Sequence, residues 1–449
     1  MTYDLLVSGG LVVYPEKTVR ADIAVDGERI AAVAPAGELR GKRTVDAGGC
    51  FVLPGAIDPH THPVYLDDIA SLSRSAAYGG VTTIVHYAYA KPGQSLLAEL
   101  RKMRAEGEAG SCTDFALHGG LFETRKQAEE IPEAFALGVT SFKMFMAYAK
   151  LGWMTDDYAM AKAMDLIGRH GGLACIHAET GLAIDYIQDR LLAEKADFAE
   201  RFLETSPDVA EAEGIFRAVS IGRLMGCPVY IPHVSSAEGL AAIGFLRERG
   251  ARVFAETCPQ YLGLTWEELK GRGALGKVGP AIKTEADRLA LWQAAGRGLL
   301  DTIGSDHAPK PKTVEEDFFK AAYGSPEVET MLPVVWHYGV NAGRITPNAV
   351  AALLAENSAR ILGLARKGRL EPGADADLVV FDPAEPWTVT ASGQHSKATY
   401  SLFEGKQLVG RVKKVLAGGK LIVDGEEFLG KAGQGRFLPT RAGKEGRKS

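Results

Sequence analysis

The feature that most constrains the fold is an alternation of apolar β-type runs and longer helical stretches that starts near residue 54. Parallel strands that are buried on both faces should be almost uniformly apolar, as most of these runs are. Eight such units predict an α/β chain with a (β/α)8 barrel of the TIM type. The β-type runs are 56–57, 82–85, 115–117, 141–144, 173–176, 229–231, 252–254 and 302–304, and the helical runs between them include 94–109, 158–170, 210–225, 237–249 and 285–299.

Short β-type runs separated by glycine-containing turns lie on both sides of the barrel region, in residues 4–53 and again after about residue 368. We expect these two segments to form one small β-sandwich from both ends of the chain. The predicted organisation is therefore 1–53 for the first part of the sandwich, 54–367 for the barrel, and 368–449 for the rest of the sandwich plus a basic tail. The tip of this tail, rich in Gly, Lys and Arg, is expected to be disordered.

Charge and composition exclude several functional classes. The 449 residues carry a formal net charge of −5, from 51 basic and 56 acidic side chains, which gives no reason to expect a nucleic-acid partner. No apolar stretch reaches the length of a membrane span, and the N-terminus lacks the basic start of a signal peptide. The five cysteines contain no CxxC pair, so we expect free thiols and a cytoplasmic protein.

Four histidines are candidate metal ligands. His60 and His62 belong to an HxH motif, and alternate residues of an extended segment point the same way, so both can bind one metal ion. His177 and His233 each directly follow a predicted strand. None of these signals is specific by itself, since a single histidine is more often a packed core residue than a ligand.

Two further residues complete the pattern. Lys143 lies in an apolar strand, where an ammonium group is costly without a partner. A neutral lysine can add CO2 to form a carbamate, an anion able to bridge two cations, although a buried ion pair is the simpler alternative. Asp306 directly follows the eighth predicted strand, where it can cap a helix or bind metal.

Taken together, these residues follow the strands counted as first, fourth, fifth, sixth and eighth. The carboxyl ends of barrel strands meet at one mouth, where barrel active sites form. Five nitrogen and oxygen ligands with one bridging anion suit two zinc-like ions. The sequence therefore predicts a two-metal site made of His60, His62, Lys143, His177, His233 and Asp306.

The sequence resembles the cyclic amidohydrolases, which include dihydropyrimidinase, hydantoinase, allantoinase and dihydroorotase. The resemblance runs almost from end to end, and it is more specific for the superfamily than for the substrate. It rests on GAIDPHTH (55–62), GVTT (80–83), SFKMFMAY (141–148), ETCPQYL (256–262), GSDHAP (304–309) and GADADLV (373–379).

The resemblance implies a role for each candidate. His60, His62 and Asp306 would hold the more buried metal ion, His177 and His233 the more exposed one, and the carbamate of Lys143 would bridge them. A metal-bound hydroxide would attack the ring carbonyl, with Asp306 as general base and acid. Tyr148 would donate a hydrogen bond to the oxyanion. A homotetramer or homodimer is also implied, with the apolar Phe437 and Leu438 of the tail packing on a neighbouring subunit.

The substrate is narrowed by one departure from the dihydroorotases, which carry an arginine two residues after the HxH motif where this chain has Val64. Without a charge partner for a ring carboxylate, we expect a small neutral cyclic amide. Backbone groups near Gly279 and Pro326 are expected to bind the ring, and Tyr65 and Trp153 to line an outer, apolar pocket that tolerates an apolar substituent.

Several other functions stay open at this stage. Allantoinase is the main alternative to a dihydropyrimidinase or hydantoinase. A dihydroorotase and a non-catalytic scaffold related to dihydropyrimidinase are less favoured, because Val64 argues against the first and the complete ligand set against the second. A single-metal deaminase or N-acyl amino-acid hydrolase is disfavoured by Lys143, because single-metal relatives usually lack the bridging lysine.

Overall fold

The structure, a computed structural model that describes residues 2–441, contains two β-sheets. The strands before the barrel are β1 (Tyr3–Ser8), β2 (Leu11–Val13), β3 (Thr18–Asp26), β4 (Arg29–Pro35), β5 (Gly41–Asp46) and β6 (Phe51–Pro54). The barrel strands are β7 (Ala56–Thr61), β8 (Val81–Ala90), β9 (Asp114–Leu121), β10 (Ser141–Phe145), β11 (Leu173–His177), β12 (Val229–Ile231), β13 (Val253–Thr257) and β14 (Thr302–Ile303). The last strands are β15 (Leu378–Thr388), β16 (Gln407–Ala417), β17 (Lys420–Asp424) and β18 (Glu427–Phe428).

Strands β7 to β14 form a parallel sheet in which each strand pairs with its neighbour in the sequence. The sheet closes where Thr61, at the end of β7, bridges to His307, just after β14. The backbone N–H of His62 donates to the carbonyl of His307 over 3.0 Å at the same place. The predicted barrel is confirmed, and every predicted run overlaps an observed strand.

Both ends of the chain contribute to the second, curled sheet. Its ten strands run in the order β18-β17-β16-β15-β6-β2-β3-β1-β5, with β4 paired to β3. The two ends meet where Val52 of β6 pairs with Val380 of β15. The prediction of a β unit built from both termini is confirmed, and this unit has its own apolar core, which includes Ile23, Val52 and Leu378.

Helices alternate with the barrel strands, and several begin at a polar capping residue. Asp68, Ser95, Asp156 and Ser236 each accept a hydrogen bond from a backbone N–H of the first turn. In the part of the chain that the structure describes, no helix is both long and apolar enough to cross a membrane. The principal helices between the barrel strands are Ile69–Tyr78, Leu96–Gly110, Ile131–Ala136, Asp157–Arg169, Gly181–Ala193, Asp208–Leu224, Ala237–Glu248 and Glu285–Gly296. The short helices are Thr124–Gln127, Pro259–Gly263, Trp266–Leu269, Met331–Val335, Pro347–Ala351 and Asn357–Leu362; 3-10 turns span Ala128–Glu130, Ala149–Leu151, Phe202–Thr205, Lys270–Gly276 and Ala391–Gly393, and π-helical turns span Trp336–Asn341 and Ala352–Glu356.

The C-terminal tail packs on its own barrel. The N–H of Phe115 in β9 donates to the carbonyl of Arg436, and the N–H of Leu438 donates to the carbonyl of Phe115. The Phe437 ring packs against the Phe115 ring, with Arg104 stacked on its other side. Phe437 and Leu438 are therefore partly covered by their own chain, and their expected contact with a neighbouring subunit stays a prediction. The tail tip that we expected to be disordered, 442–449, lies outside the described residues.

Candidate metal centre and catalytic cavity

Barrel closure brings three of the predicted ligands together. His60 lies in β7, His62 follows it, and Asp306 follows β14. A carboxylate oxygen of Asp306 lies 3.1 Å from Nε2 of His60 and 2.9 Å from Nε2 of His62. The candidate ligand atoms of all three residues lie within 4.8 Å of one another, which is close enough to share one metal ion.

A second layer of polar groups orients the two histidines. Nδ1 of His60 lies 2.7 Å from Glu256, and Nδ1 of His62 lies 3.1 Å from the Tyr89 hydroxyl. Partners on Nδ1 leave Nε2 of each ring facing Asp306, the arrangement that metal-binding histidines need. Burial lowers the pKa of both histidines, so their imidazoles stay neutral and able to bind a cation.

The second pair of histidines faces the same cavity. Nδ1 of His177 lies 3.1 Å from Nε2 of His233, so one ion can contact both nitrogens. The other nitrogen of His177 lies 2.8 Å from Glu179, whose carboxylate also accepts a hydrogen bond from Ser206. Burial lowers the pKa of His233 well below its usual value. Glu179 thus orients the His177 ring through the nitrogen that faces away from His233, as Glu256 orients the His60 ring through Nδ1.

Lys143 lies on β10, which pairs with β11, the strand that ends at His177. Its side chain is buried, with Nζ 5.2 Å from the ring centres of both Tyr87 and Phe145. Within residues 2–441, no hydrogen-bond acceptor or carboxylate lies within bonding distance of that Nζ. Burial lowers the pKa of Lys143 to about 8. The buried ion pair that was the simpler alternative to a carbamate on Lys143 is therefore absent from the described structure.

The backbone is strained at three site residues. Tyr148, His233 and Asp306 have φ values of 67°, 46° and 50°, and Lys195 is the only other non-glycine residue with positive φ in the described chain. Residues other than glycine rarely adopt a positive φ, and those that do so cluster at functional sites. All three of these residues line the cavity at the barrel mouth.

Two adjoining cavities open at the barrel mouth. An inner cavity of about 90 Å³ is lined by all six predicted ligands. An outer cavity of about 460 Å³ lies beside it. The residues that line both cavities, and so form the neck between them, are Tyr148, Leu151, Trp153, Gly279, Lys310 and Tyr323.

The other predicted substrate contacts are mostly at this cavity. Tyr65 lines the inner cavity, and Tyr148, Trp153 and Gly279 lie at the neck. A Cβ atom on Gly279 would lie 2.9 Å from the Tyr148 hydroxyl, so the glycine leaves room for that hydroxyl. Pro326 is buried and lines neither cavity.

The sequence did not predict the residues that orient the candidate ligands, nor the lysine that lines the neck. Glu256 and Glu179 were not recognised as partners of His60 and His177. A carboxylate two positions after a strand-end histidine was a possible signal for Glu179. Lys310, four residues after Asp306, carried no signal that separated it from an ordinary surface lysine.

Comparison with known proteins agrees with this geometry. The profile of the Amidohydrolase family matches residues 51–422. The chain belongs to the amidohydrolase family. A D-hydantoinase of Ralstonia pickettii is 34% identical, over 98% of this chain and 100% of that protein. An allantoinase of Rubrobacter xylanophilus is 33% identical over 97% of each chain. The solved L-hydantoinase (dihydropyrimidinase) from Arthrobacter aurescens superimposes with a TM-score of 0.93 at 29% identity, covering 98% of this chain and 100% of that one.

Membership of this family, together with near full-length similarity to hydantoinases, makes the chain a cyclic amidohydrolase. The family resemblance drawn from the sequence is therefore confirmed. The family is also metal-dependent, in agreement with the cluster of His60, His62 and Asp306.

Proposed function

We propose that this enzyme opens a hydantoin or dihydropyrimidine ring by hydrolysing one ring C–N bond at a two-metal site. The observation that carries the proposal is that all six predicted ligands, from five different barrel strands and loops, line one small cavity. The hydantoinases among the similar proteins support the choice of ring.

The donor set fits two divalent ions, with Zn2+ as the favoured metal. His60, His62 and Asp306 would hold one ion, and His177 and His233 the other. Lys143, as its carbamate, would bridge them, since its buried Nζ has no acceptor in the described chain and burial lowers its pKa to about 8. When bound, the two ions polarise the ring carbonyl and lower the pKa of an attacking water towards roughly 7.

The residues of the chain supply proton transfer and oxyanion binding. Burial would raise the pKa of Asp306, but His60 and His62 hold it at about 2, so its carboxylate is free to accept a proton from the water. The Asp306 carboxyl group then delivers this proton to the ring nitrogen. The water oxygen bonds to the carbonyl carbon, the C–N bond breaks, and the product carries a new carboxylate. The Tyr148 hydroxyl at the neck donates to the developing oxyanion.

The walls of the cavity favour a neutral ring. Val64, at the position where dihydroorotases carry an arginine, is 44% exposed and lines neither cavity. Tyr65, Tyr89 and Trp153 present aromatic surface to the inner cavity. Backbone groups at Gly279 would bind the ring amides, and we retain Pro326 only as a support for the neighbouring loop.

Allantoinase is the second candidate, because an allantoinase is as similar to this chain as the hydantoinases are. Purified protein loaded with Zn2+ should bind about two ions per chain and be assayed with hydantoin, dihydrouracil, allantoin, dihydroorotate and cyclic imides. We expect the highest kcat/KM for hydantoin or dihydrouracil. A preference for allantoin would favour the second candidate, and failure to open any of these rings would refute the proposal.

We also propose a cytoplasmic homotetramer or homodimer. Five free cysteines, four of them buried, support a reducing compartment. The oligomer rests on the family resemblance alone, because the tail packs on its own barrel. Light scattering of the full chain tests it, and a monomer at micromolar concentration would contradict it.

A further inference from the structure

Lys310 occupies the neck between the two cavities. It follows β14 on the same loop as Asp306 and lines both the inner and the outer cavity. Its Nζ stands 4.1 Å from the ring centre of Tyr65. In the part of the chain that the structure describes, no hydrogen-bond acceptor lies within reach of this Nζ, and the anion that acts on it is the metal ligand Asp306.

The other lysines around the outer cavity and on the adjoining loop are already engaged. Lys277 and Lys312 donate to backbone carbonyls of the neighbouring loops. Lys150 and Lys320 pair with surface aspartates. Lys310 is the lysine whose donors stay free for a molecule in the cavity. The Tyr65 ring gives this cation no hydrogen-bond acceptor, and a largely buried ammonium without one is costly, so an anion at the neck would be bound strongly.

We propose that Lys310 binds a carboxylate carried on a short arm of the ring, so that the preferred substrates are cyclic amides with an acidic exocyclic substituent. This inference rests on the proposed function, since the ring must first lie at the metal site. It also revises the expectation of an apolar substituent, while the ring itself stays neutral. Burial lowers the pKa of Lys310 to about 8, and a carboxylate bound beside it would favour its protonated form.

The geometry favours a short arm. A ring whose carbonyl lay among the histidines of the inner cavity would extend its substituent through the neck, which Lys310 lines. Beyond the neck, the outer cavity carries two carboxylates, Glu179 and Asp185, which line that cavity alone. A carboxylate on a longer arm would approach them and be repelled. A carboxylate on a short arm, unlike one attached directly to the ring as in dihydroorotate, reaches the cation and avoids both acids.

The test compares two substrates of nearly the same shape, hydantoin-5-propionic acid and its primary amide. For the Zn2+-loaded enzyme, we expect the acid to have the higher kcat/KM. Lys310→Met should lower the acid-to-amide ratio of kcat/KM by roughly 10- to 100-fold, the range of one hydrogen bond to a charged group. Lys310→Arg should keep most of the ratio. Lys320→Met, which removes an exposed lysine from the outer rim, is the matched control and should keep the wild-type ratio.

The outcomes separate this inference from the proposed function. An enzyme that opens the amide as well as or better than the acid, or a Lys310→Met variant with an unchanged ratio, overturns the role of Lys310 alone. An enzyme that opens neither compound nor hydantoin overturns the proposed function. If Lys310→Met loses metal or fails to fold, Lys310→Gln replaces it, with the same expected fall and the same refuting result.

Discussion

Nε2 of His62 lies 2.9 Å from a carboxylate oxygen of Asp306, although the two residues are 244 positions apart in the chain. The contact exists because the first and last barrel strands meet there. Asp58, in the first strand, accepts hydrogen bonds from the N–H groups of both His60 and Ser305. Closing the barrel therefore also assembles the cluster of His60, His62 and Asp306.

Asp306 is the first residue to test. Asp306→Asn removes the proton acceptor while keeping the shape, so kcat should fall by about 10²–10⁴-fold, the contribution of a positioned general base. KM should change much less. Steady-state kinetics with metal analysis of the same sample measures both effects, and Asp317→Asn, on an exposed loop, serves as the control. A near-normal kcat in Asp306→Asn would rule out the assigned role.

Substitution of Lys143 tests whether its carbamate bridges two metal ions. Lys143→Ala removes the amine that would form the carbamate, so we expect loss of the second metal ion and of activity. Short carboxylic acids, added as a substitute anion, should restore part of the activity. Metal content by mass spectrometry and activity with and without propionate check this, with Lys431→Ala in the exposed tail as control. Two bound ions and full activity in Lys143→Ala would refute the bridge.

The sequence could predict that the candidate ligands meet because each lies in the carboxyl-terminal part of a barrel strand or just after it, and these strand ends share one barrel mouth. The supporting groups carry no such mark. Glu256 lies within a strand, and its contact with His60, 196 positions away, depends on how neighbouring strands are staggered. Lys310 and Lys312 are two residues apart, yet one has free donors and the other bonds two backbone carbonyls. The two lysines differ only because the path of the loop brings backbone carbonyls to Lys312 and not to Lys310.

Trp153 tests the shape of the neck. Its ring stacks on Phe122 at 4.6 Å and meets the Tyr148 ring edge-on at 6.0 Å, so its position is well defined. Trp153→Ala should change selectivity among substituted hydantoins by about 1–3 kcal/mol, the range of apolar pocket contacts. Metal content should be unchanged. Relative kcat/KM values for hydantoins with small and large apolar substituents are the measurement, and equal effects on all of them would contradict a pocket role.

Truncation of the C-terminal tail tests whether the tail stabilises the fold of its own chain or a contact between subunits. Arg436 pairs with Asp114 over 2.9 Å, and Thr440 bonds the hydroxyl of Thr140 over 2.8 Å, so the tail covers the start of β9 and β10. Truncation after Gly430 should lower the urea midpoint of the enzyme. Chemical denaturation and light scattering of the same variant separate the two effects. A normal midpoint with a smaller particle mass would instead favour a contact between subunits.

Lys367 joins the barrel to the C-terminal sheet region at the end opposite the candidate metal centre. Its Nζ lies 2.6 Å from Asp114 at the start of β9, 2.6 Å from Asp377 and 3.1 Å from Asp375. Burial would lower the pKa of Lys367, but these three carboxylates raise it above its usual value.

Replacing Lys367 by Met leaves the buried Asp377 without its cation, while Asp114 and Asp375 keep arginine partners, so we expect a loss of about 3–5 kcal/mol in the free energy of unfolding. The pKa of Lys367 is higher in the folded state than in the unfolded chain. Its stabilising contribution is therefore complete below the unfolded lysine pKa, roughly 10.4, and is lost as pH rises above that value. The difference in urea midpoint between wild type and Lys367→Met should be largest near neutral pH and shrink at strongly alkaline pH. Lys420→Met, at an exposed position of β17, should leave the midpoint unchanged. A difference that grows with alkaline pH would show that the carboxylates do not raise the lysine pKa in the folded protein.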